Sequence, residues 1–283
     1  MDYTILSIFT FLLTTILYYV FVKPSFTIVH LENAKSLGDV LRNQKYISGV
    51  FFLVVVAIQF IVNISAMADH CGNGTAKNLG AAALYTFVPW IFMFGVMMIV
   101  LMVFPGLKSG FSNVVGYYAV AFSANNLLTE LLLDPEIDAK IQSENATPED
   151  RSAMQSAADA ILKLLGNASI LINQVVPGNF SQYWTTLVPL MKGKYKNNLD
   201  SIETREKKQA FLNLAIMRDN IGEACWYIYT GIFLITIVQY NIMTHKCDVD
   251  PEVANEKYKE YNKKEKEENE KKEKQNTVEY KMS

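Results

Sequence analysis

Four long runs of apolar residues without a single charge are the strongest constraint on what this chain can fold into. They cover residues 3–22, 46–67, 81–104 and 224–243, and none contains Lys, Arg, Asp, Glu or His. A helix rises about 1.5 Å per residue, so about 20 apolar residues are needed to cross the roughly 30 Å hydrocarbon core of a bilayer. A charge at the bilayer centre costs at least about 2.5 kcal/mol, so charge-free runs of this length are typical of membrane spans. The sequence therefore predicts an all-α membrane protein with four transmembrane helices.

The spans divide the chain into four parts. Residues 1–104 hold three transmembrane helices with short loops, 105–220 a helical extramembrane module, 221–246 the fourth transmembrane helix, and 247–283 a charged C-terminal tail. The module begins with an apolar segment, 111–133, that Asn, Ser and Gly residues interrupt. Such interruptions favour a helix that is interfacial or buried in protein. The alternative is a fifth crossing, which would reverse the side of everything downstream.

Two longer helical patterns follow within the module. Thr147 is typical of a helix N-cap, and apolar residues then recur every three or four positions for about three heptads. The apolar face, which includes Met154, Ile161 and Leu165, is a candidate interaction surface. The competing interpretation is that this face forms the module's own core. A second pattern starts at Ser201 and runs without a helix breaker into the fourth span, which predicts one long helix that projects from the membrane.

Charged residues supply two further candidate contact sites. Lys192, Lys194 and Lys196 follow a short apolar helix predicted over 183–191, and we assign them to the interaction surface. The tail repeatedly places Glu four residues before Lys, and each such pair stabilises a helix by a few tenths of a kcal/mol. We interpret the tail as a solvated, partly helical or disordered extension. The alternative is a tether that reaches a partner beyond the membrane.

The distribution of Lys and Arg predicts the orientation. With four crossings, both termini and the second loop share one side of the membrane, and the module lies on the other. More Lys and Arg lie near the spans on the module side, so the positive-inside rule places the module in the cytoplasm. The Asn-Gly-Thr sequon at Asn73 is then lumenal and is a candidate glycosylation site. The sequons at Asn145, Asn167 and Asn179 would be cytoplasmic and unused.

Two cysteines are expected at the same face of the membrane. Cys71 follows the second span and Cys247 follows the fourth, so a disulfide between them would tie two helical hairpins together in an oxidising compartment. The alternative is two free thiols. His70 and His245 lie beside these cysteines, which allows a zinc site to be drawn, but adjacent His-Cys ligands have poor spacing for a structural zinc site. We predict no metal site.

The sequence holds no recognisable catalytic constellation. No nucleophile with a base, no paired catalytic carboxylates and no phosphate loop is present, and no ionisable residue lies within the spans, as a transporter or proton pump would require. The amides Gln59, Asn63 and Gln239 lie within spans and are expected to bond across helices. A net charge of −2 gives no basic field for nucleic acid. We predict no enzyme, no catalytic residue, no cofactor and no nucleic-acid partner.

A resemblance to one group of proteins is carried by the segments GNASILINQVVPGNFSQYWTTLVPLMKGKYK and RDNIGEACWYIYTGIFLITIVQYNI, with FIVN, FVPWIFMFG and FPGLKSGFSNVVGYY. In these segments the chain resembles uncharacterised multi-pass membrane proteins encoded by nucleocytoplasmic large DNA viruses of algae and protists. The similarity covers most of residues 50–247 and excludes the tail. It implies a virion component in the membrane beneath an icosahedral capsid, derived from host endomembrane. The family supplies no catalytic or binding residues to transfer.

The sequence thus predicts a structural, minor capsid-associated protein that links a viral inner membrane to capsid or neighbouring proteins, including copies of itself. The alternative function is a viral channel or a membrane-remodelling or fusion factor. A channel needs pore-lining polar residues on several spans, and these are few. A fusion factor needs an apolar segment that becomes exposed, for which residues 111–122 are the sole candidate.

Overall fold

A computed structural model describes residues 2–72, 76–132, 168–248 and 251–279. Within these ranges the chain is helical and contains no strand. Four helices are long and apolar enough to span a membrane: Tyr3–Val22, Ala34–Cys71, Asn78–Val103 and Ile202–Met243, called spans one to four below. The predicted fold class is confirmed.

The remaining helices form the module and the tail. The segment after span three contains a 3₁₀ turn at Pro105–Lys108, a short helix at Ser109–Phe111, a π-helical stretch at Ser112–Gly116 and the helix Tyr117–Leu132. Further helical elements are Ile28–Glu32, Ala168–Gln174, Phe180–Leu187, Val188–Leu190, Gly193–Lys196 and the tail helix Pro251–Glu279.

Span two is longer than its apolar run because its caps lie outside that run. Asn33 is the N-cap, and its side-chain oxygen accepts hydrogen bonds from the backbone N–H groups of Lys35 (3.0 Å) and Ser36 (3.2 Å). The helix ends at Gly72, whose φ of 70° is the left-handed conformation that glycine adopts most readily. The residues from Ala34 to Lys45 therefore extend the helix beyond the N-terminal end of the apolar run 46–67.

Span four is the longest helix among the described residues and joins the membrane to the module. It begins after Ser201, whose hydroxyl caps the backbone N–H of Thr204 at 3.2 Å, and continues to Met243. Its 42 residues rise about 63 Å, twice the thickness of the hydrocarbon core. The prediction of one uninterrupted helix from Ser201 into the fourth apolar run is confirmed, and the first half of this helix packs within the module.

The described residues pack into two hydrophobic cores. In the bundle, the ring of Phe94 lies 5.9 Å from Phe11, 5.2 Å from Trp90 and 5.4 Å from Tyr227, measured between centroids, so aromatic side chains from spans one, three and four fill the centre. In the module, Phe211 of span four packs on the helix Phe180–Leu187, and the helix Tyr117–Leu132 buries one face against span four and the segment Ala168–Gln174. These contacts place the helix Tyr117–Leu132 in the module core; among the described residues, it is not one of the four helices that are long and apolar enough to span a membrane.

Three glycines allow helices to approach closely. A Cβ at Gly116 would overlap the backbone of Arg218, and one at Gly222 would overlap Ser112, so the π-helical stretch lies directly against span four. A Cβ at Gly231 would overlap the ring of Phe11, which fixes the contact between spans one and four. Small residues at such crossings permit the close packing on which helix association in membranes depends.

Span three is irregular where Pro89 interrupts it. Kinks in long helices commonly occur at proline. In the structure a π-helical stretch, Trp90–Gly95, follows Pro89 directly. Proline removes a backbone donor, and local π-helical adjustment is one way in which transmembrane helices accommodate that loss.

Candidate functional site

A buried group of charges joins three helical segments where the bundle meets the module. We call Lys23, Lys108, Asp219 and Glu223 the junction cluster. The Nζ of Lys23 donates to Glu223 Oε1 at 2.6 Å, and Lys108 donates to Glu223 and, at 3.3 Å, to Asp219. The hydroxyl of Tyr19 also donates to Glu223 Oε1, at 2.9 Å. The cluster ties the end of span one and the segment after span three to span four.

The junction cluster is balanced in charge and shielded from solvent. Its four charged side chains are between 7% and 16% exposed. Burial alone would lower the pKa of Lys108, but the carboxylates of Glu223 and Asp219 raise it above its ordinary value. The Lys108 ammonium group is therefore ionised and is paired with both carboxylates. Such a cluster holds its partners in one arrangement, because removing one member leaves an uncompensated buried charge.

The sequence indicated only half of this cluster. Arg218, Asp219 and Glu223 lie together just before the apolar run 224–243, which predicts an ion cluster at the entry to that run. The structure keeps the two carboxylates and adds Lys23 and Lys108. Both lysines follow the end of a span closely, and this position is the signal that could have identified them. Arg218 lies elsewhere: its guanidinium donates to the carbonyl oxygen of Ile172 and, at 3.3 Å, to Asn173 Oδ1. It fixes the segment 168–174 to span four.

The opposite end of the bundle is closed by a covalent link. Cys71 and Cys247 are joined by a disulfide, with Cα atoms 5.3 Å apart. Beside it, Asn78 Nδ2 donates to the carbonyl oxygen of Asp248 at 3.2 Å, and the Asp248 N–H donates to Asn78 Oδ1 at 3.1 Å. The chain after span four is thus fastened to the hairpin of spans two and three. We call this end the disulfide face and the other end the module face.

The structure brings together three of the four residues considered as zinc ligands. Among the described residues, His70, Cys71 and Cys247 each place one ligand atom within 4.8 Å of the others. His245 is not part of that group, and its Nδ1 lies 3.2 Å from the hydroxyl of Tyr85. Both sulfurs are bonded to each other, so neither is a thiolate that could bind zinc. The arrangement is a structural clasp.

The amides within the spans form a network. Gln239 Nε2 donates to Asn63 Oδ1 at 2.8 Å, and Asn63 Nδ2 donates to Thr86 Oγ1 at 2.9 Å, which links spans four, two and three. Gln59 accepts from the Ser7 hydroxyl and donates to the Ser7 carbonyl oxygen at 3.1 Å, which links spans one and two. The expectation that these amides bond across helices is confirmed.

The predicted surface lysines have contacts within the module. Lys194 donates to Glu203 at 2.7 Å and lies 4.5 Å from the ring centroid of Tyr195, while Lys196 reaches the carbonyl oxygen of Pro189 at 3.4 Å. The backbone N–H of Lys192 donates to the Leu131 carbonyl oxygen at 2.9 Å. Lys194 and Lys196 are nevertheless exposed, so they remain candidates for contact with a partner.

Several other predicted sites lie outside the described residues. These are Asn73, Asn145, Asn167 and the apolar positions Met154, Ile161 and Leu165. The sequon at Asn179 is described: its side-chain amide accepts from the Val176 N–H at 2.8 Å and donates to the Gln174 carbonyl oxygen at 2.9 Å. This amide is therefore engaged in the turn before Phe180–Leu187.

The sites found among the described residues fasten helices together at both ends and at the centre of the bundle. Comparison of the chain with protein-family models, with curated proteins and with solved structures gives no match.

Proposed function

We propose that this protein is a structural membrane anchor that holds its module at one membrane face and its charged tail helix at the other. The observation that carries the proposal is the closed interior of the bundle. Trp90, Phe94 and Phe11 are at most 1% exposed, and the buried amides of Asn63 and Gln239 are hydrogen-bonded to each other across helices. An interior of packed rings and paired amides suits a support, and it leaves few polar groups to line a pore.

Mechanical continuity is the second support for an anchor. Span four enters both cores without interruption, and the junction cluster and the disulfide fix the remaining spans to it at opposite ends. A force applied to the module would reach the membrane through this helix, since no flexible linker lies between Ser201 and Met243. This is the property that an anchoring protein needs.

In the viral setting that the sequence resemblance implies, the anchor would lie in the inner membrane of a large DNA virus particle. The partners would be capsid proteins, neighbouring virion proteins or further copies of this chain. The module would face the cytoplasm during assembly. The disulfide face would lie in the oxidising lumen of the host endomembrane. Disulfides persist in such compartments, which agrees with the orientation predicted from Lys and Arg.

The experiment that tests the proposal is lysine cross-linking with mass spectrometry on the intact native membrane or particle. We expect links to capsid or other virion proteins from Lys192, Lys194 and Lys196 on the module face, or from Lys263 and Lys264 on the tail helix. Links only within this protein or between its own copies would refute the link to capsid. Ion flux in proteoliposomes above that of protein-free vesicles would favour the channel alternative, and lipid mixing would favour the fusion alternative.

A further inference from the structure

A groove between spans three and four opens from the bundle into the surrounding hydrocarbon. Its volume is about 340 Å³, and span three contributes Phe92, Val96 and Val100 along one side, with the methionines Met93 and Met97. Phe92 and Val96 are 68% and 49% exposed, so this side of the groove faces outward from the bundle. The groove is therefore part of the surface that contacts lipid.

Span four supplies the floor and the opposite wall. Thr230 is 6% exposed, whereas its neighbours Tyr229 and Phe233 are 65% and 51% exposed. A small side chain between two large aromatic ones creates a notch at Thr230. The π-helical stretch that follows Pro89 includes Phe92 and Met93, so the irregularity of span three shapes the facing wall.

The depth of the groove matches one leaflet of the bilayer. Span three ends on the module side at Val103, so Val100 lies about 5 Å and Phe92 about 16 Å below that end. On span four, Tyr229 and Phe233 lie about 9 Å and 15 Å below Glu223 of the junction cluster. Half of the hydrocarbon core is about 15 Å thick. The groove thus extends from near the module-side boundary to the bilayer midplane.

We infer that this groove is a binding site for one acyl chain of a phospholipid from the module-side leaflet. Its walls are almost entirely apolar, it runs along span three for about 12 Å, and it is continuous with the lipid-facing surface. Aromatic and methionine side chains adapt well to a flexible hydrocarbon chain. The phospholipid headgroup then lies at the membrane boundary above Val100, on the same side as Trp226, whose indole N–H donates to the Leu107 carbonyl oxygen at 3.0 Å.

Photo-cross-linking tests this site on the full-length protein. The protein is reconstituted in phosphatidylcholine vesicles that contain phosphatidylcholine with a diazirine on one acyl chain, and the adducts are mapped by mass spectrometry. We expect adducts to be at least fivefold enriched on Met93, Val96 and Met97 relative to Ile99 and Leu84. Ile99 and Leu84 are each 60% exposed on the same span and lie outside the groove, so they report labelling by exposure alone.

Two variants that fill the groove complete the test. Thr230→Phe makes the groove shallower, and Val96→Phe makes it narrower. Val96 is half exposed, so its replacement leaves the packed core intact. Either variant should abolish the enrichment at Met93 and Met97, whereas Ile99→Phe should leave it unchanged. Labelling that follows exposure alone, or enrichment that survives both filling variants, would overturn the inference. Efficient disulfide dimerisation of a Val96→Cys variant without lipid adducts would also overturn it and would assign the groove to a second copy of this chain.

Discussion

Replacement of Glu223 by glutamine is the most direct test of the junction cluster. The carboxylate of Glu223 forms an ion pair with both Lys23 and Lys108, whose side chains are 7% and 14% exposed. Gln keeps the shape of the side chain and one acceptor oxygen but removes the charge. Breaking a buried ion pair by removal of one partner costs about 3–5 kcal/mol, because the other charge stays buried without compensation. Asp219, 3.3 Å from Lys108, continues to pair with that lysine, so we expect a value near about 3 kcal/mol.

The assay is thermal unfolding of the detergent-solubilised full-length protein, followed by circular dichroism. A loss of about 3 kcal/mol corresponds to a decrease in Tm of about 6–12 °C. The matched control is Asp39→Asn, which breaks the Asp39–Arg42 pair, 56% and 82% exposed, and should cost about 0.5 kcal/mol or less. Addition of Lys23→Met to Glu223→Gln should recover stability, since it removes the unpaired charge. A Glu223→Gln variant that unfolds within 1 °C of Asp39→Asn would refute the argument.

Three further predictions concern other parts of the molecule. Cys71→Ser should lower the free energy of unfolding by about 2–4 kcal/mol and make the Tm insensitive to reducing agent. Cys225→Ser, at the free cysteine, should change neither the stability nor the effect of reducing agent on the Tm. Gly231→Ala should cost about 1–3 kcal/mol in thermal unfolding because its new methyl group overlaps an aromatic ring, whereas Gly49→Ala, in open space, should be neutral or stabilising. The pKa of Glu130 is lowered chiefly by a hydrogen bond from Lys207. The ionised carboxylate of Glu130 therefore stabilises the fold at pH values above the ordinary pKa of 4.5, and this contribution is lost as the pH falls through the lower pKa of the folded state. Glu130→Gln should therefore unfold with a weaker dependence on pH below 4.5, measured by circular dichroism; an unchanged acid dependence would contradict this reasoning.

The class of the fold was predictable because lipid imposes its requirement on sequence directly. Apolar length without charge identifies residues in hydrocarbon whatever their neighbours are, so all four spans could be identified one run at a time. The helix ends were less predictable. Span two begins at Ala34 because the side chain of Asn33 caps it there, outside the apolar run that marks the membrane.

The sites were harder to predict because they depend on residues that are far apart in sequence. Lys23 and Glu223 are 200 positions apart, and only the packing of spans one and four brings them together. The pair Cys71 and Cys247 could be proposed from the sequence because the number of crossings fixes which loops share a face. The groove between spans three and four gave no sequence signal, since it depends on how Thr230 and its aromatic neighbours meet span three.

The disulfide determines how the covalent chain responds to proteolysis. Cys71 and Cys247 are 176 positions apart, and the bond between them closes spans three and four and the whole module into a single ring. One peptide-bond cleavage anywhere in that ring opens it without producing a separate fragment. A protease that cuts the module once would leave a molecule of unchanged mass on a non-reducing gel, and two pieces would separate only after reduction. The chain before the cut and the chain after it thus stay joined through the Cys71–Cys247 bond even after the backbone between them has been cleaved.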